Sequence, residues 1–278
     1  MPFLPEDYIE VQSPALLFPD FITHLHYLGC VKELSDGISI STNIQSAGQF
    51  AESSIVRKKV KLIELTYKNL VEEKRNIDQV HDYSMICVSW VPVKSYYLMF
   101  NLLLLLEYLI FENDDWLTAQ HRDLCNKFRD QLKNRQISFS EHKMNMCYTA
   151  IEIESWTIPR SDNLRSTPAS QDVRVKQIIK KLYEYKKEDF KRANKLKRLS
   201  GKKLKDFKNS CTLCLFDFFY WYRIKANYRD MEFVDSGVPI EQFYSFYSNY
   251  YLLTMNCYQA FKQLINQLSQ EKLGREIL

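Results

Sequence analysis

One short stretch of this sequence concentrates polar side chains that could recognise a phosphate. Following an aromatic run, Arg223, Asn227, Tyr228 and Asp230 occur close together, and we call residues 223–230 the polar turn. Arginine can hold a phosphate through two parallel hydrogen bonds, so the turn could bind a phosphodiester. The same groups could instead lock a turn between two helices, with Asp230 paired to Arg229 and Asn227 forming the turn. Both interpretations stay open.

A basic segment offers a second route to nucleic acid. Residues 171–209 contain fifteen Lys and Arg against five Asp and Glu, whereas the whole chain has a net charge of only +4. Clustered cations neutralise phosphates and release counterions, which favours RNA binding. A solvated helix or a partner-docking arm would have the same composition. The predicted phosphate contacts are Lys180, Lys181, Lys186, Lys187, Lys195, Lys197, Lys202 and Lys203.

Other kinds of chemistry have little support in the sequence. Cys211 and Cys214 form a C-x-x-C pair, which we predict to lie on one helix face and to pack in the core, because no second pair or nearby His completes a metal site. No glycine-rich phosphate loop is present, so we predict neither a metal nor a cofactor. Seven scattered cysteines and no secretory signal favour a reduced, cytoplasmic protein.

Long helices must position these residues. The apolar run from Ser95 to Phe111 predicts a central, buried helix, and at this length it is too short for a typical membrane span. Apolar residues spaced three and four apart predict helices at Ser54–Val80, Thr118–Asn134 and Pro239–Glu271. The aromatic run predicts a further helix at Cys211–Ala226. Its aromatics should mostly pack in the core.

The expected fold is therefore all-α, an antiparallel bundle of four to five long helices with a basic helical insertion. We divide the chain into an irregular N-terminal segment (residues 1–52), a first half-bundle (53–134), an insertion (135–206) and a second half-bundle (207–278). In the insertion, a loop at Ser161–Asp172 precedes a basic helix that should project from the body and break at Ser200–Gly201. Turn residues around an alternating pattern also predict a short strand within Ser35–Asn43.

Three features together resemble the HEPN family of small helical bundles. They are a YYxxF helix (Tyr96, Tyr97, Phe100), a following helix that runs from His121 to Phe128, and the polar turn. The order and approximate spacing are similar to the branch whose members accompany minimal nucleotidyltransferases. The resemblance covers under half of the chain.

The resemblance implies an RNA-directed function with a degenerate active site. Many HEPN proteins are metal-independent ribonucleases that use an Arg-x(4–6)-His pair near a dimer interface. Here Tyr228 stands at the spacing where that pattern has His, and tyrosine titrates near 10, too high for a good base at neutral pH. The resemblance therefore implies a catalytic set of Arg223, Tyr228, His121, Asn227 and Asp230, with His121 brought near Arg223 by the bundle.

Two functions from different classes follow. The first is a protein of a bacterial defence or toxin–antitoxin system that binds or cleaves RNA, in the second case as a metal-independent endoribonuclease. The alternative is a non-catalytic helical adaptor that forms a homodimer and docks a partner protein from the same operon. The missing His favours the adaptor, whereas the basic segment favours RNA.

Overall fold

The computed structural model describes residues 14–44, 48–158, 170–228 and 239–278. These residues are mostly helical, which confirms the all-α class. In chain order the helices are α1 (Pro14–Ser35), α2 (Ser54–Gln79), α3 (Tyr83–Cys87), α4 (Val91–Phe111), α5 (His121–Lys133), α6 (His142–Asn145), α7 (Ala150–Ser155), α8 (Gln171–Ala193), α9 (Gly201–Ser210), α10 (Asp217–Tyr228) and α11 (Ile240–Leu273). Four short strands, β1 (Ile40–Thr42), β2 (Ile137–Phe139), β3 (Cys147–Thr149) and β4 (Thr212–Cys214), form two antiparallel pairs, β1–β2 and β3–β4.

Helix α4 is the centre of the fold, as the apolar run predicts. It packs against α2, α10 and α11 on different sides, and every residue from Asn101 to Ile110 is buried. Pro92 lies in its first turn, where the missing N–H group costs no helical hydrogen bond. The helix ends at Glu112, which adopts a left-handed conformation and accepts a hydrogen bond from the buried ammonium of Lys272 at 2.6 Å.

The amphipathic helices also lie close to their predicted positions. In α2, Val56, Ile63, Leu70 and Ile77 recur at seven-residue spacing and are buried, while Ser53 caps the first turn with its side chain. Helix α11 extends two residues beyond its predicted end. Helix α5 is shorter than predicted because the residues Asp114–Thr118 form a separate 3₁₀ helix before it.

The N-terminal segment is more regular than predicted, since α1 is a helix of 22 residues. Prolines at 14 and 19 argued for irregular chain, but Pro14 is the first helical residue, where proline is well tolerated. The buried face of α1 includes Phe21, Leu28 and Val31, and the helix packs on α11 and α8. The predicted short strand is confirmed as β1, which pairs with β2.

The basic helix does not project from the body as predicted. Its apolar stripe, from Val175 to Tyr183, is buried, and α8 packs against α1, α7 and α10. The stripe is thin in sequence, yet it is long enough to hold the helix on the domain. The basic helix breaks between Ala193 and Gly201, close to the predicted break. The predicted loop at residues 161–172 lies largely outside the described ranges.

The helix predicted at Cys211–Ala226 begins six residues later. Residues 212–214 form β4, which pairs with β3, and Asp217 then starts α10. The carboxylate of Asp217 accepts a hydrogen bond from the backbone N–H of Cys214 at 2.9 Å, and it also pairs with the buried guanidinium of Arg129. This buried pairing fixes the strand-to-helix junction and leads α10 towards the N-terminal half of α4.

By length and composition, α4 is the one helix in the described ranges that could also cross a membrane. Most of it is covered by other helices of the same chain. Central helices of globular domains meet the same criterion.

Candidate functional site

The structure brings His121 and Arg223 to the same tyrosine, Tyr96. The hydroxyl of Tyr96 lies 2.6 Å from Nδ1 of His121. The guanidinium carbon of Arg223 lies 5.0 Å from the centre of the Tyr96 ring and 5.4 Å from that of Tyr97, at cation–π distance from both. We call Tyr96, Tyr97, His121 and Arg223 the His–Arg cluster. It joins the start of α4, the start of α5 and the middle of α10.

Burial and charge keep His121 neutral. Desolvation lowers the pKa of His121, and the nearby positive charge of Arg223 lowers it further. Burial raises the pKa of Tyr96 far above its usual value, so this hydroxyl stays protonated. Tyr96 has no other hydrogen-bond partner among the described residues, so the imidazole tautomer that satisfies its hydroxyl is the one whose Nδ1 accepts the proton. The neutral imidazole then carries its own proton on Nε2 and acts there as a donor.

A cleft of about 680 Å³ opens beside His121. Phe100 and Tyr220 supply aromatic walls, and Lys59 and Arg122 supply positive charge. Burial lowers the pKa of Lys59, which forms no ion pair with a described residue. The remaining residues that line the cleft are Leu104, Leu117, Thr118, Ala119 and Gln120. Gln120 is the N-cap of α5, and its side chain makes no capping hydrogen bond to the first backbone N–H groups of this helix.

The charged and polar groups that line the cleft are therefore mainly donors. The Lys59 ammonium, the Arg122 guanidinium and the Nε2 proton of His121 all suit an anion, and no carboxylate of a described residue lines the cleft. Aromatic rings beside such donors suit a nucleotide, because a base can stack while its phosphate binds the cations. A base catalyst would need Nε2 unprotonated, which the hydrogen bond from Tyr96 opposes.

The rest of the polar turn is only partly described. Arg223 is half-buried, and its Nε atom is buried without a hydrogen-bond acceptor among the described residues. Asn227 and Tyr228 lie in the last turn of α10, but their side chains are outside the description, and Asp230 lies beyond it entirely. The pairing of Arg229 with Asp230 is outside it too.

The aromatic run in α10 packs mainly in the core, as predicted, but the aromatic residue that reaches the cleft is not the one adjacent to Arg223. Tyr222 is adjacent to Arg223 in sequence, but it is buried and its hydroxyl lies 2.6 Å from Nδ1 of His24. The residue that reaches the cleft is Tyr220. Three positions separate Tyr220 from Arg223, which is the spacing that places two helical residues on the same face.

The eight lysines predicted to bind phosphate fall into two groups. Four lie on the body of α8, and one of these, Lys186, donates to the backbone carbonyl of Thr212 at 3.0 Å. Lys181 and Lys187 lie over the rings of Tyr185 and Tyr183. Lys186 is thus a structural donor to β4 and is not displayed for phosphate. The other member of this group is Lys180, which is half-buried.

The second group belongs to an exposed surface that we call the basic tip, residues 192–205 between the end of α8 and the middle of α9. No Asp or Glu occurs in this span, and none of its cations pairs with a carboxylate of a described residue. Lys203 contacts only the neutral side chain of Asn194, at 3.1 Å. The exposed cations of the tip are Arg192, Lys195, Lys197, Arg198, Lys202, Lys203 and Lys205.

Sequence reasoning missed several of these residues. Arg192, Arg198 and Lys205 belong to the same charge run as the predicted lysines and could have been included on that ground. Lys59 and Arg122 had no local signal, because they come together only when α2 packs beside the start of α5.

Comparison with protein-family models, curated proteins and solved structures gives no match for this chain. Within the described residues, no three His, Cys, Asp or Glu side chains are grouped as a metal site would require.

Proposed function

We propose that this protein binds single-stranded RNA, with the basic tip along the phosphate backbone and one nucleotide in the cleft beside His121. The observation that carries the proposal is the basic tip, where seven exposed cations lie within a span of fourteen residues that contains no Asp or Glu. Solvated helical faces usually mix both signs, as α2 does. A surface of one sign attracts a polyanion through counterion release.

The cleft adds a recognition element to this electrostatic surface. Asp189, in the last turn of α8, is close enough to Tyr220 to raise its pKa, although burial is the larger cause. Helix α8, which leads into the basic tip, also packs against α10, which carries Tyr220. Single-stranded RNA exposes bases that can stack on rings such as Phe100 and Tyr220, whereas a duplex keeps its bases paired.

The family resemblance supports a narrower form of the proposal. An antiparallel HEPN-like bundle with the His–Arg cluster at its site would place the protein in a bacterial defence or toxin–antitoxin system. The donor character of His121 favours RNA binding over cleavage. Cleavage is a separate outcome, detected as shortened RNA in the binding reactions.

The test measures binding of a labelled single-stranded RNA over a series of salt concentrations. A triple variant, Lys197→Ala with Lys202→Ala and Lys203→Ala, should weaken binding and flatten the log–log salt dependence by about 2, since each single-strand contact contributes roughly 0.7. The matched control removes three exposed lysines elsewhere, Lys61→Ala with Lys68→Ala and Lys133→Ala. Absence of binding at low salt, or equal losses in both triples, would contradict the proposal.

The adaptor function stays a second candidate because of exposed apolar residues at one end of the fold. Between the end of α2 and the start of α4, Val80, Ile86 and Trp90 are each more than half exposed, and Tyr83 and Tyr97 are partly exposed. Large apolar side chains left in water together often mark a protein interface. If this surface forms a homodimer, Ile86→Glu with Trp90→Glu should convert it to a monomer in sedimentation analysis without changing the circular dichroism spectrum.

A further inference from the structure

Cys147 and Cys214 lie directly opposite each other in the β3–β4 ladder. The backbone N–H of Ala150 donates to the carbonyl of Cys211 at 3.1 Å, which identifies that opposed pair as hydrogen-bonded. Pairs alternate along an antiparallel ladder, so Cys147 and Cys214 occupy a non-hydrogen-bonded position, three residues away. Opposed Cα atoms at such a position are about 4.5 Å apart, within the roughly 4.4–6.8 Å that a disulfide spans.

The two thiols differ in access and in acidity. Cys147 is half-buried, whereas Cys214 is almost fully buried. The thiol of Cys147 lies 3.6 Å from the backbone carbonyl of Arg129. Interaction with the Cys214 thiol lowers the pKa of Cys147, burial opposes this shift, and the positive charges of Arg129 and Lys133 support it. The same interaction raises the pKa of Cys214. Cys147 is therefore the accessible nucleophile, and Cys214 is the buried resolving thiol.

The C-x-x-C pair that stands out in sequence cannot do this. Cys211 precedes β4 and faces Ala150, so its side chain belongs to a different rung of the ladder from that of Cys214. The chemically competent partner of Cys214 is 67 positions away in sequence, on β3.

We propose that Cys147 and Cys214 form an oxidation site that reacts with a peroxide to give an intramolecular disulfide. The Cys147 thiolate attacks one peroxide oxygen, the O–O bond breaks, and the leaving oxygen takes a proton, which produces a sulfenic acid on Cys147 and water or an alcohol. The Cys214 sulfur then attacks the Cys147 sulfur, the S–O bond breaks, and the hydroxyl group leaves as water with the thiol proton. Two thiols are oxidised and one peroxide is reduced.

The cysteine pair lies outside the proposed RNA-binding surface, but it is connected in sequence to α10, which borders the cleft. β4 leads through Asp217 into α10, the helix that carries Tyr220 and Arg223. A disulfide between β3 and β4 would cross-link the chain next to this junction and should raise the unfolding temperature of the oxidised protein.

The experiment treats the reduced full-length chain with an equimolar amount of hydrogen peroxide, blocks the remaining thiols by alkylation, and maps the peptides by mass spectrometry. The expected product is a peptide pair joined through Cys147 and Cys214 and lacking two hydrogen atoms. In Cys214→Ser, a sulfenic acid should accumulate on Cys147 and react with dimedone. Cys125→Ser is the matched control, because Cys125 is another thiol close to Arg129 and Asp217, and it should leave the disulfide unchanged.

Three results would overturn the proposal. They are a wild-type protein that keeps both thiols reduced under this treatment, a disulfide that joins either residue to Cys125 or Cys211, and dimedone labelling of Cys214 in preference to Cys147. Each of these results is measured on the protein alone and does not depend on whether RNA binds.

Discussion

The two halves of α4 are nearly equal in apolar content but differ in what surrounds them. From Asn101 to Ile110 every residue is buried. In the first half, Tyr97 is 38% exposed and Phe100 lines the cleft. The groups that contact this half include the guanidinium of Arg223 and the imidazole of His121. The site is therefore defined by what packs against the helix, because the helix itself is similar throughout.

The largest expected difference between the halves is in packing energy. Leu105→Ala, in the second half, removes a fully buried side chain and should lower the free energy of unfolding by about 2–5 kcal/mol. Tyr97→Ala, in the first half, removes a partly exposed ring and should cost clearly less. Urea titration of both variants tests the contrast. Equal losses would mean that the first half is as tightly packed as the second.

A second contrast concerns the carboxyl group inside the second half. Glu107 is fully buried, and its one hydrogen-bond partner among the described residues is the side-chain amide of Gln131 at 3.0 Å. Desolvation raises the pKa of Glu107 to about 7, although the amide acts in the opposite direction. The folded chain therefore holds this proton at pH values where the unfolded chain has lost it.

The sign of the pH dependence follows from that difference. Between about pH 4.5 and pH 7 the folded state binds more protons than the unfolded state, so the contribution of Glu107 to stability falls as pH rises. A shift of this size corresponds to roughly 3 kcal/mol as an upper value. Glu107→Gln should therefore be more stable than wild type at pH 8 and similar to it at pH 5.

Urea titration at both pH values measures this effect. Glu64→Gln, on the exposed side of α2, is the matched control and should show no such dependence. A Glu107→Gln variant that loses stability equally at pH 5 and pH 8 would show that the ionised carboxylate is not the source of strain in the core.

The long helices could be predicted because their burial follows a local period. α2, α4 and α11 each repeat apolar residues often enough that the sequence alone locates them within a few positions. The first part of α1 was missed because the prolines among the first twenty residues suggested a break, although Pro14 lies at a position that tolerates proline. The start of α10 was missed because β4 depends on pairing with β3, which is distant in the chain.

The candidate site was predictable only in part, for the same physical reason. The basic run gave Lys195, Lys197, Lys202 and Lys203 correctly as exposed cations, since charge of one sign is visible without a fold. The hydrogen bond from Lys186 to the carbonyl of Thr212 could not be predicted without knowing the position of β4. Likewise, no spacing in the sequence indicates that Lys59 and Arg122 border one cleft.

The smallest expected effect lies within the His–Arg cluster and tests whether it acts as one electrostatic unit. Arg223 of α10 lies over the ring of Tyr96, whose hydroxyl contacts His121, and the charge of Arg223 contributes to the lowered pKa of that imidazole. Arg223→Ala removes this charge, so the pKa of His121 should rise towards its ordinary value, while desolvation by the remaining neighbours keeps part of the depression. An NMR titration of the imidazole protons measures the change. Arg122→Ala is the matched control, because Arg122 is adjacent in sequence but exposed, and does not contribute to the lowered pKa. If Arg223→Ala leaves the titration of His121 unchanged, the two residues are neighbours without electrostatic coupling, and the first half of α4 is an aromatic wall with no charged unit behind it.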